Sequence, residues 1–280
     1  MTTVALTGAN GLVGSRIVEL LKDKFTFVSF PQTEMDITNK DQVNATLSKT
    51  KFDVFLHLAA YTNVAGAETN KELAYTINAQ GTKNVFEATK SLNKKFIYIS
   101  TDFVFDGEHP PYSELSIPNP LSVYAQSKYE GEKIVYNNAM IVRIAYPYRA
   151  QFEEKKDFFR TFKWLIEQKK PMNMIADSLM TPTFVDDIAN GLSHLINNYS
   201  PEIFHLVGSQ SLSPYDACVM IAKVFDLDSS HIGKTTLAEY IVGKAPLPRL
   251  ARIVSKKNTF SQMSSFEEGL LRIKEQLQII

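Results

Sequence analysis

A tyrosine and a lysine, Tyr124 and Lys128, stand four positions apart, downstream of the threonine Thr101. Because positions i and i+4 share one face of a helix, the phenol and the ammonium would point in the same direction. Thr101 follows a run of β-branched and aromatic residues, 96–99, that is typical of a buried strand. A positive charge beside a phenol lowers its pKa, which is ordinarily about 10. The pattern predicts a proton-donating site with Tyr124, Lys128 and Thr101 as catalytic residues.

The same spacing occurs at two other places, Tyr129 with Lys133 and Tyr240 with Lys244. Five helical steps of roughly 100° turn Tyr129 well away from the face of Tyr124 on the predicted helix. Tyr240 follows no strand that ends in a hydroxyl-bearing residue. We therefore interpret both as ordinary helix or surface pairs.

A glycine-rich turn lies between a short apolar strand at 4–7 and a predicted helix. Its glycines are Gly8, Gly11 and Gly14, a spacing that differs from the G-x-G-x-x-G of many dehydrogenases. Glycines let the backbone turn tightly and approach a pyrophosphate, and the following helix N-terminus supplies amide donors. A plain strand-to-helix turn is the alternative, and three glycines at this position disfavour it.

The end of the second predicted strand, residues 29–32, carries no acidic residue. An acidic side chain there commonly binds the 2′-hydroxyl of the adenosine ribose, so its absence disfavours strict NAD specificity. Arg16, just after the glycine turn, could reach a 2′-phosphate. We therefore expect NADP(H) as the favoured cofactor, with NAD(H) as the alternative.

Strands that alternate with helices up to residue 145 predict an α/β fold with a Rossmann-type, doubly wound parallel sheet. The site then lies at the carboxyl ends of the strands. We assign residues 1–145 to a dinucleotide-binding domain, to which about 171–200 returns. We assign residues 146–170 and 201–280 to a smaller C-terminal substrate-binding lobe.

Two polar residues interrupt apolar or helical patterns. His57 alternates with apolar neighbours in the predicted strand 52–60, which favours a core histidine with satisfied hydrogen bonds over a catalytic one. Asn78 lies within the helix predicted over about 68–91. It could bind a backbone group or a water near the site, or it could cap or face solvent, and the residues alone leave both readings open.

Composition excludes several function classes. Lys plus Arg and Asp plus Glu number 30 each, so bulk charge implies neither a nucleic-acid nor a membrane partner. The one cysteine, Cys218, lies in an apolar helical pattern and predicts a buried, inert thiol. The five histidines have no partner at metal-ligand spacing, so we expect no metal. The start lacks a basic region and no run of about 18 apolar residues occurs, which favours a cytoplasmic protein.

Four segments carry a resemblance to a known family: Thr7–Gly14, Asp36–Thr38, Ala59–Val64 and Ser100–Gly107. With them the chain resembles the extended short-chain dehydrogenase/reductases, and among these the dTDP-4-dehydrorhamnose reductases, over most of residues 1–208. Ser100–Gly107 is the most specific segment, because related epimerases usually have a serine-rich turn there and dehydratases an aspartate–glutamate pair. The resemblance implies NADPH-dependent reduction of a nucleotide-linked 4-keto-6-deoxy sugar, namely dTDP-4-dehydrorhamnose to dTDP-L-rhamnose. A homodimer is one open assembly, since the sequence does not fix the oligomeric state.

The resemblance also implies roles for individual residues. Tyr124 would protonate the keto oxygen, Lys128 would hold the nicotinamide ribose, and Thr101 would bind the keto oxygen. The implied substrate-binding residues are Thr101, Asp102, Tyr146 and Arg249. The implied cofactor-binding residues are Gly8, Asn10, Gly11, Leu12, Val13, Gly14, Asp36, Ile37, Ala59, Ala60, Tyr61, Thr62, Ser100, Tyr124 and Lys128.

Three departures from the family pattern concern the substrate side. Ala65 and Gly66 stand where the family often has an aspartate and its neighbour, Tyr146 replaces a tryptophan that touches the sugar, and Pro248–Arg249 only loosely matches the late arginine loop.

Two other functions stay open. One is an NADP-binding regulatory subunit that resembles the β subunit of methionine adenosyltransferase, although intact Thr101, Tyr124 and Lys128 favour the enzyme. The other is a nucleotide-sugar epimerase or dehydratase, which would regenerate its cofactor in each cycle.

Overall fold

The computed structural model of the protein describes residues 1–154 and 156–278. Six parallel strands form a central sheet: β1 (Thr3–Thr7), β2 (Thr26–Phe30), β3 (Val54–His57), β4 (Lys95–Thr101), β5 (Met140–Ile144) and β9 (Ile203–His205). Their order is β2-β1-β3-β4-β5-β9. The chain thus runs outward from β1 in both directions, which confirms the predicted doubly wound α/β fold.

The helices connect these strands and build the C-terminal lobe. They are α1 (Leu12–Leu21), α2 (Lys40–Ser48), α3 (Val64–Thr69), α4 (Lys71–Tyr75), α5 (Thr82–Ser91), α6 (Val123–Val135), α7 (Phe158–Glu167), α8 (Val185–Asn197), α9 (Pro214–Val224), α10 (Leu237–Tyr240) and α11 (Phe266–Gln278). A π-helical segment, Thr76–Gly81, joins α4 to α5, and a 3₁₀ turn, Asp102–Val104, follows β4.

Both faces of the sheet are covered, because successive side chains of each strand point to opposite faces. Val4 and Leu6 of β1 pack in one cluster with α1 and α8. Ala5 belongs to a second cluster, which includes side chains of α2 and α5. Burial on both faces explains why the strands read as nearly continuous apolar runs in the sequence.

A smaller lobe holds a third apolar cluster, to which α7, α9 and α11 contribute. Two short parallel pairs lie here, β6 (Pro147–Tyr148) with β8 (Thr183–Phe184) and β7 (Met172–Ile175) with β10 (Ile232–Thr235). Aromatic side chains, among them Tyr148, Phe159 and Phe266, fill its centre.

Two strands correct the predicted division of the chain. We expected β7 to return to the dinucleotide-binding domain, but it pairs with β10 in the lobe. We expected β9 in the lobe, but it pairs with β5 as the edge strand of the central sheet. Short apolar runs predict that a strand exists, whereas the partner of that strand depends on contacts far along the chain. Helix α8 does return to the domain, as expected, and packs on α1.

The single helix predicted over about 68–91 is broken. It begins earlier, at Val64, is interrupted at Asn70, and passes through the π-helical segment before α5. Within that segment, a Cβ atom on Gly81 would lie 2.8 Å from the side chain of Ile37. The close packing explains a glycine at this point, and π-helical turns often occur at functional sites.

Two sequence expectations concern absences. In residues 1–154 and 156–278, no helix is both long and apolar enough to span a bilayer. Within the same residues, no group of three or more His, Cys, Asp or Glu side chains is placed to hold a metal ion.

Candidate active site

A cleft of about 900 Å³ opens at the carboxyl ends of the strands, where ligands bind in doubly wound folds. Its walls come from the glycine turn after β1, the ends of β2, β3 and β4, one face of α6, and the lobe residues 152, 154 and 156–158. The volume is within the range of small-molecule sites, roughly 300–1,000 Å³.

The glycine turn forms one end of the cleft. Gly8 has φ +73°, a backbone conformation that favours glycine, and its carbonyl accepts from the N–H of Gly11 at 3.0 Å. A Cβ on Gly14 would lie 2.2 Å from the Gly8 oxygen, so Gly14 lets helix and turn pack closely. A Cβ on Gly11 would meet only that oxygen, at 3.2 Å, so Gly11 borders open space. No side chain caps α1, and its first amides are free to bind an anion.

The end of β2 lines the cleft next to this turn. Asp36 and Ile37, which the family resemblance places by the adenine, also line it. The Oδ1 atom of Asp36 accepts from the backbone N–H and the hydroxyl of Thr38, at 2.9 and 2.8 Å. This local bonding holds the chain in the turn that follows β2.

Arg16 does not reach a 2′-phosphate in this structure. Its Nε and NH2 atoms donate to the two carboxylate oxygens of Asp186, at 2.7 and 2.8 Å, and NH1 pairs with Glu19. Arg16 is also absent from the residues that line the cleft. The structure gives the Arg16 argument for NADP no support, because Asp186 on α8 holds the guanidinium, and the motif gives no sign of this distant partner.

The predicted catalytic residues converge on the middle of the cleft, which Thr101, Tyr124 and Lys128 line together. Ser122 caps α6 by accepting from the N–H of Ala125 at 3.3 Å, and the helix then presents Tyr124 and Lys128 on one face. The Nζ atom of Lys128 donates to the Ile99 carbonyl at 2.7 Å and lies 4.1 Å from the centroid of the Tyr98 ring.

Burial, not the nearby lysine, sets the pKa of Tyr124. Burial raises the pKa of Tyr124 to about 12, although a hydrogen bond with Thr101 opposes the rise. Burial also lowers the pKa of Lys128 to about 7. The expectation that Lys128 lowers the pKa of Tyr124 is wrong here, because burial weakens the charge that would do so. The phenol therefore stays protonated at neutral pH, which is the state that a proton donor needs.

Asp102 and Tyr146 line the cleft on the far side of Thr101. The Thr101 hydroxyl donates to Oδ1 of Asp102 at 3.1 Å, while Oδ2 is buried without a hydrogen-bond partner among the described residues. Burial raises the pKa of Asp102 to about 7. Tyr146 has φ +39°, a strained backbone for an aromatic residue, and its ring lies 5.9 and 6.1 Å from those of Phe103 and Phe158.

Comparison of the chain with protein-family models shows which family it belongs to. The model described as the RmlD substrate binding domain matches residues 1–279. The chain belongs to the RmlD substrate binding domain family. The match confirms the family resemblance inferred from the sequence motifs.

Two of the proteins similar to this RmlD-family chain carry different names. A dTDP-4-dehydrorhamnose reductase of Aggregatibacter actinomycetemcomitans is 31% identical over 233 residues, which cover 79% of this chain and 78% of that protein. The methionine adenosyltransferase 2 subunit beta of Xenopus tropicalis is 29% identical over 261 residues, covering 87% of this chain and 77% of that protein.

A solved structure shows the same fold. The dTDP-4-dehydrorhamnose reductase of Bacillus anthracis str. Ames, in complex with NADP, superposes with a TM-score of 0.91 at 32% identity. The superposition covers 99% of this chain and all of that one.

Three predicted site residues of this RmlD-family chain do not line the cleft. Arg249 is half exposed, donates to the carbonyl of Asp177 at 3.2 Å and pairs with its carboxylate at 3.6 Å. Tyr61 and Ser100 also lie outside the lining residues, and the Ser100 hydroxyl is buried without a described partner. As a substrate ligand, Arg249 has no support from this geometry, because its guanidinium is held by Asp177 instead.

A further residue of this RmlD-family chain helps to position the site, and the sequence alone left its role open. Asn78 is buried, and its side chain accepts from the Tyr61 N–H at 2.7 Å and donates to the Tyr61 carbonyl at 3.1 Å. It also donates to the Ser127 hydroxyl at 2.9 Å, which in turn donates to the Tyr124 carbonyl at 2.8 Å. Asn78 is thus a positioning residue that ties the end of β3 to α6. In the sequence, the signal for this role is a polar residue within a long predicted helix.

His57 continues this hydrogen-bonded column behind the site. Its Nδ1 lies 2.8 Å from the Thr7 hydroxyl, and its Nε2 lies 3.2 Å from the hydroxyl of Thr82, which donates to the Asn78 carbonyl. Burial lowers the pKa of His57 to about 3, so the ring is neutral. The prediction of a core histidine with satisfied hydrogen bonds is confirmed.

Proposed function

We propose that the protein is a nicotinamide-dependent reductase of a nucleotide-linked 4-keto-6-deoxy sugar, which converts dTDP-4-dehydrorhamnose to dTDP-L-rhamnose. The observation that carries this proposal is one continuous cleft with a phosphate-binding glycine turn at one end and Tyr124, Lys128 and Thr101 in the middle. The names of the reductase relatives support the choice of substrate.

The residues present fit a dinucleotide. The uncapped amides of α1 and the open space at Gly11 suit a pyrophosphate. Asp36 and Ile37 would lie by the adenine, and Lys128 by the nicotinamide ribose. Residues 29–32, which line the cleft at the end of β2, include no acidic side chain that would repel a 2′-phosphate, and the similar Bacillus anthracis structure holds NADP. NADPH is the favoured cofactor on these grounds, with NADH as the alternative.

Each side chain has a part in the proposed chemistry. The bound cofactor supplies a hydride to the carbonyl carbon of the sugar. Tyr124, neutral at pH 7, donates its proton to the oxygen of that carbonyl as negative charge develops there. Thr101 donates a hydrogen bond to the same oxygen, and the free Oδ2 atom of Asp102 accepts from a sugar hydroxyl. The half-buried rings of Phe103 and Tyr146 would limit the access of water to this end of the cleft.

The regulatory function is the second candidate, because the methionine adenosyltransferase relative aligns over more of this chain than the reductase does. Retention of the whole catalytic set favours the enzyme. An epimerase or dehydratase would restore its cofactor, so net consumption of NADPH separates that class. The homodimer and the cytoplasmic location stay predictions.

The test is NADPH oxidation by the purified protein with enzymatically prepared dTDP-4-dehydrorhamnose, and identification of the product by mass spectrometry. We expect dTDP-rhamnose, with one NADPH consumed per product molecule. Tyr124→Phe keeps the ring and removes the proton donor, so turnover should fall by about 10²-fold or more. The matched control, Tyr129→Phe, should turn over normally.

Two results would contradict the proposal. Wild-type turnover by Tyr124→Phe would remove Tyr124 as the proton donor. NADPH binding without turnover of any keto sugar, together with capture of a methionine adenosyltransferase, would favour the regulatory function.

A further inference from the structure

Asp102 is a buried carboxyl, and the proposed chemistry gives a proton on it no function. Only about 2% of the residue is exposed. One oxygen accepts from the Thr101 hydroxyl at 3.1 Å. The other oxygen has no partner among the described residues, and Asp102 lines the cleft. A carboxyl buried without a counter-charge is stabilised in its neutral form, so this site favours a carboxyl that carries a proton.

Thr101 lies between this carboxyl and the proton donor. Its hydroxyl bonds to Asp102 on one side and to the phenol of Tyr124 on the other. The backbone N–H of Phe103 also donates to the Thr101 oxygen, at 3.3 Å, which fixes the position of the hydroxyl. A hydroxyl both donates and accepts, so Thr101 can pass a proton between its two neighbours.

We propose that Asp102 is a catalytic residue that returns a proton to Tyr124 through the Thr101 hydroxyl after each reduction. The proposal rests on the proposed reductase function and adds the source of the proton. It assigns the unpartnered oxygen of Asp102 a second use, as the point where a proton from the cleft enters.

The steps balance in protons. The O–H bond of Tyr124 breaks as the O–H bond of the product alcohol forms. The Thr101 hydroxyl then gives its proton to the Tyr124 oxygen and takes the proton of the Asp102 carboxyl. Asp102 is left ionised, with Thr101 donating to Oδ1, and a proton from water in the cleft reaches Oδ2. A half-turn of the carboxyl about its Cβ–Cγ bond then exchanges the two oxygens and brings the new proton to Thr101 before the next cycle. One proton passes from water to the product, and the electron pair comes from the nicotinamide hydride.

The pKa values favour this direction of transfer. Burial raises the pKa of Tyr124 to about 12 and that of Asp102 to about 7. A proton therefore moves readily from the carboxyl to the phenolate. The ionisable groups that share the cleft with Asp102 are Tyr124 and Lys128 on α6, Tyr146 after β5, Asp36, and Glu154, Lys156 and Asp157 across the opening.

Lys128 is the competing source, since burial also brings its pKa to about 7. Its Nζ atom, however, donates to the Ile99 carbonyl. Wild-type pH profiles alone would not separate the two groups. The experiment must therefore change Asp102 and leave Lys128 in place.

The first measurement uses cofactor-free protein and does not depend on turnover. Infrared difference spectra across pH 5 to 9, a window set about one to two units either side of the Asp102 pKa, should show the C=O stretch of a protonated carboxyl that titrates near neutrality. Asp102→Asn should lose this band. Asp106→Asn should keep it, because that carboxylate in the same loop bonds to Tyr112 and Asn119 instead. If the wild-type protein shows no such band, Asp102 holds no proton and the proposal fails.

The second measurement separates one turnover from many. Asp102→Asn retains the phenolic proton, so its single-turnover rate should stay within about threefold of wild type. Its kcat should fall by about tenfold or more, with a larger solvent isotope effect, because return of the proton becomes slow. Asp106→Asn, the matched control in the same loop, should behave like wild type in both measurements.

The outcomes distinguish the two proposals. A raised KM with unchanged kcat and isotope effect in Asp102→Asn would mean that Asp102 only binds a sugar hydroxyl, and the proton-return proposal would be overturned. Absence of turnover in the wild-type protein would sink the proposed function instead, while the infrared result would still decide whether Asp102 carries a proton.

Discussion

Three ionisable residues of the cleft are pushed towards their neutral forms by burial. The pKa of Tyr124 rises to about 12, that of Asp102 rises to about 7 and that of Lys128 falls to about 7. All three shifts have the same cause, because low polarity disfavours charge of either sign. The cleft is thus prepared for proton transfer between neutral groups rather than for a permanent ion pair.

The buried lysine should make stability depend on pH. The pKa of Lys128 is lower in the folded protein, about 7, than its ordinary value of 10.5. Between these values the unfolded chain binds the extra proton, so the free energy of unfolding should rise with pH, by up to about 1.4 kcal/mol per pH unit. Below pH 7 both states carry the charge, and this contribution is constant. Urea unfolding at pH 7 to 10 of wild type and Lys128→Met measures it; equal slopes in the two proteins would refute the expectation.

The glycines of the turn should separate folding from cofactor binding. Gly11→Val places a side chain in open cleft, so NADPH affinity should fall at least tenfold with little loss of stability. Gly14→Ala forces a Cβ atom against the Gly8 carbonyl and should lower the free energy of unfolding by about 1–3 kcal/mol. Titration calorimetry and urea unfolding test the pair. The same affinity in Gly11→Val and wild type would exclude this turn as the pyrophosphate site.

At the residue scale, the sequence predicted which side chains meet but not their charge states. Tyr124, Lys128 and Thr101 follow from helix spacing and from the end of one strand, which are local properties. The pKa values, and the pairing of Arg16 with Asp186 and of Arg249 with Asp177, depend on residues far along the chain. Local patterns carry no information about those partners.

At the scale of elements, α6 is attached to the sheet by a buried ion pair. Glu132 lies one helical turn after Lys128 and accepts from Nε and NH2 of Arg143 on β5, at 2.8 and 2.6 Å. Both side chains are almost fully buried. Arg143 also lies 5.0 Å from the Phe105 ring, so the loop after β4 joins the same contact. This pair fixes the position of α6, and hence of Tyr124, relative to the strand ends.

Removal of one partner should cost far more than removal of both. Glu132→Gln leaves the Arg143 guanidinium buried without a counter-charge and should lower the free energy of unfolding by about 3–5 kcal/mol. The double variant Glu132→Met with Arg143→Met should recover most of that loss. Urea denaturation of the single and double variants provides the comparison, and a double variant less stable than Glu132→Gln would contradict the argument.

Most long elements followed from the sequence, whereas short and irregular ones did not. The i, i+4 spacing of Tyr124 and Lys128 predicted α6, and the apolar helical pattern around Cys218 predicted α9. The break at Asn70, the π-helical segment and the four-residue elements β10 and α10 were not predicted. Their residues adopt these forms through packing, such as Gly81 on Ile37, rather than through local preference.

At the scale of the whole molecule, Arg149 connects the lobe to the dinucleotide-binding sheet. It follows β6 and donates from NH1 to the Ser15 hydroxyl at 2.9 Å and from NH2 to Glu19 at 3.1 Å, both on α1. The lobe residues 152, 154 and 156–158, which line the cleft, follow Arg149 closely in the chain. The alternation of strands and helices predicted this layout of a sheet with a lobe, while strand order depended on contacts that only the folded chain shows.

Loss of that connection should weaken substrate binding more than chemistry. Arg149→Gln removes hydrogen bonds worth about 1–2 kcal/mol in total, so the KM for the sugar nucleotide should rise about tenfold with kcat nearly unchanged. The control Lys223→Gln removes an exposed pair with Glu267 elsewhere on the lobe and should change neither constant. An unchanged KM in Arg149→Gln would show that the lobe is positioned without this contact.

The column that runs from Thr7 through His57 and Thr82 to Asn78 also limits how the sequence can drift. The Thr82 hydroxyl donates to the Asn78 backbone carbonyl, so its oxygen is left to accept from the His57 ring, whose other nitrogen then accepts from the Thr7 hydroxyl. Replacement of His57 therefore leaves the hydroxyls of Thr7 and Thr82 without this partner inside the protein. Variants that still fold should therefore have several of these residues changed together, or none of them. Random substitution at these buried positions should be tolerated as poorly as at Tyr124.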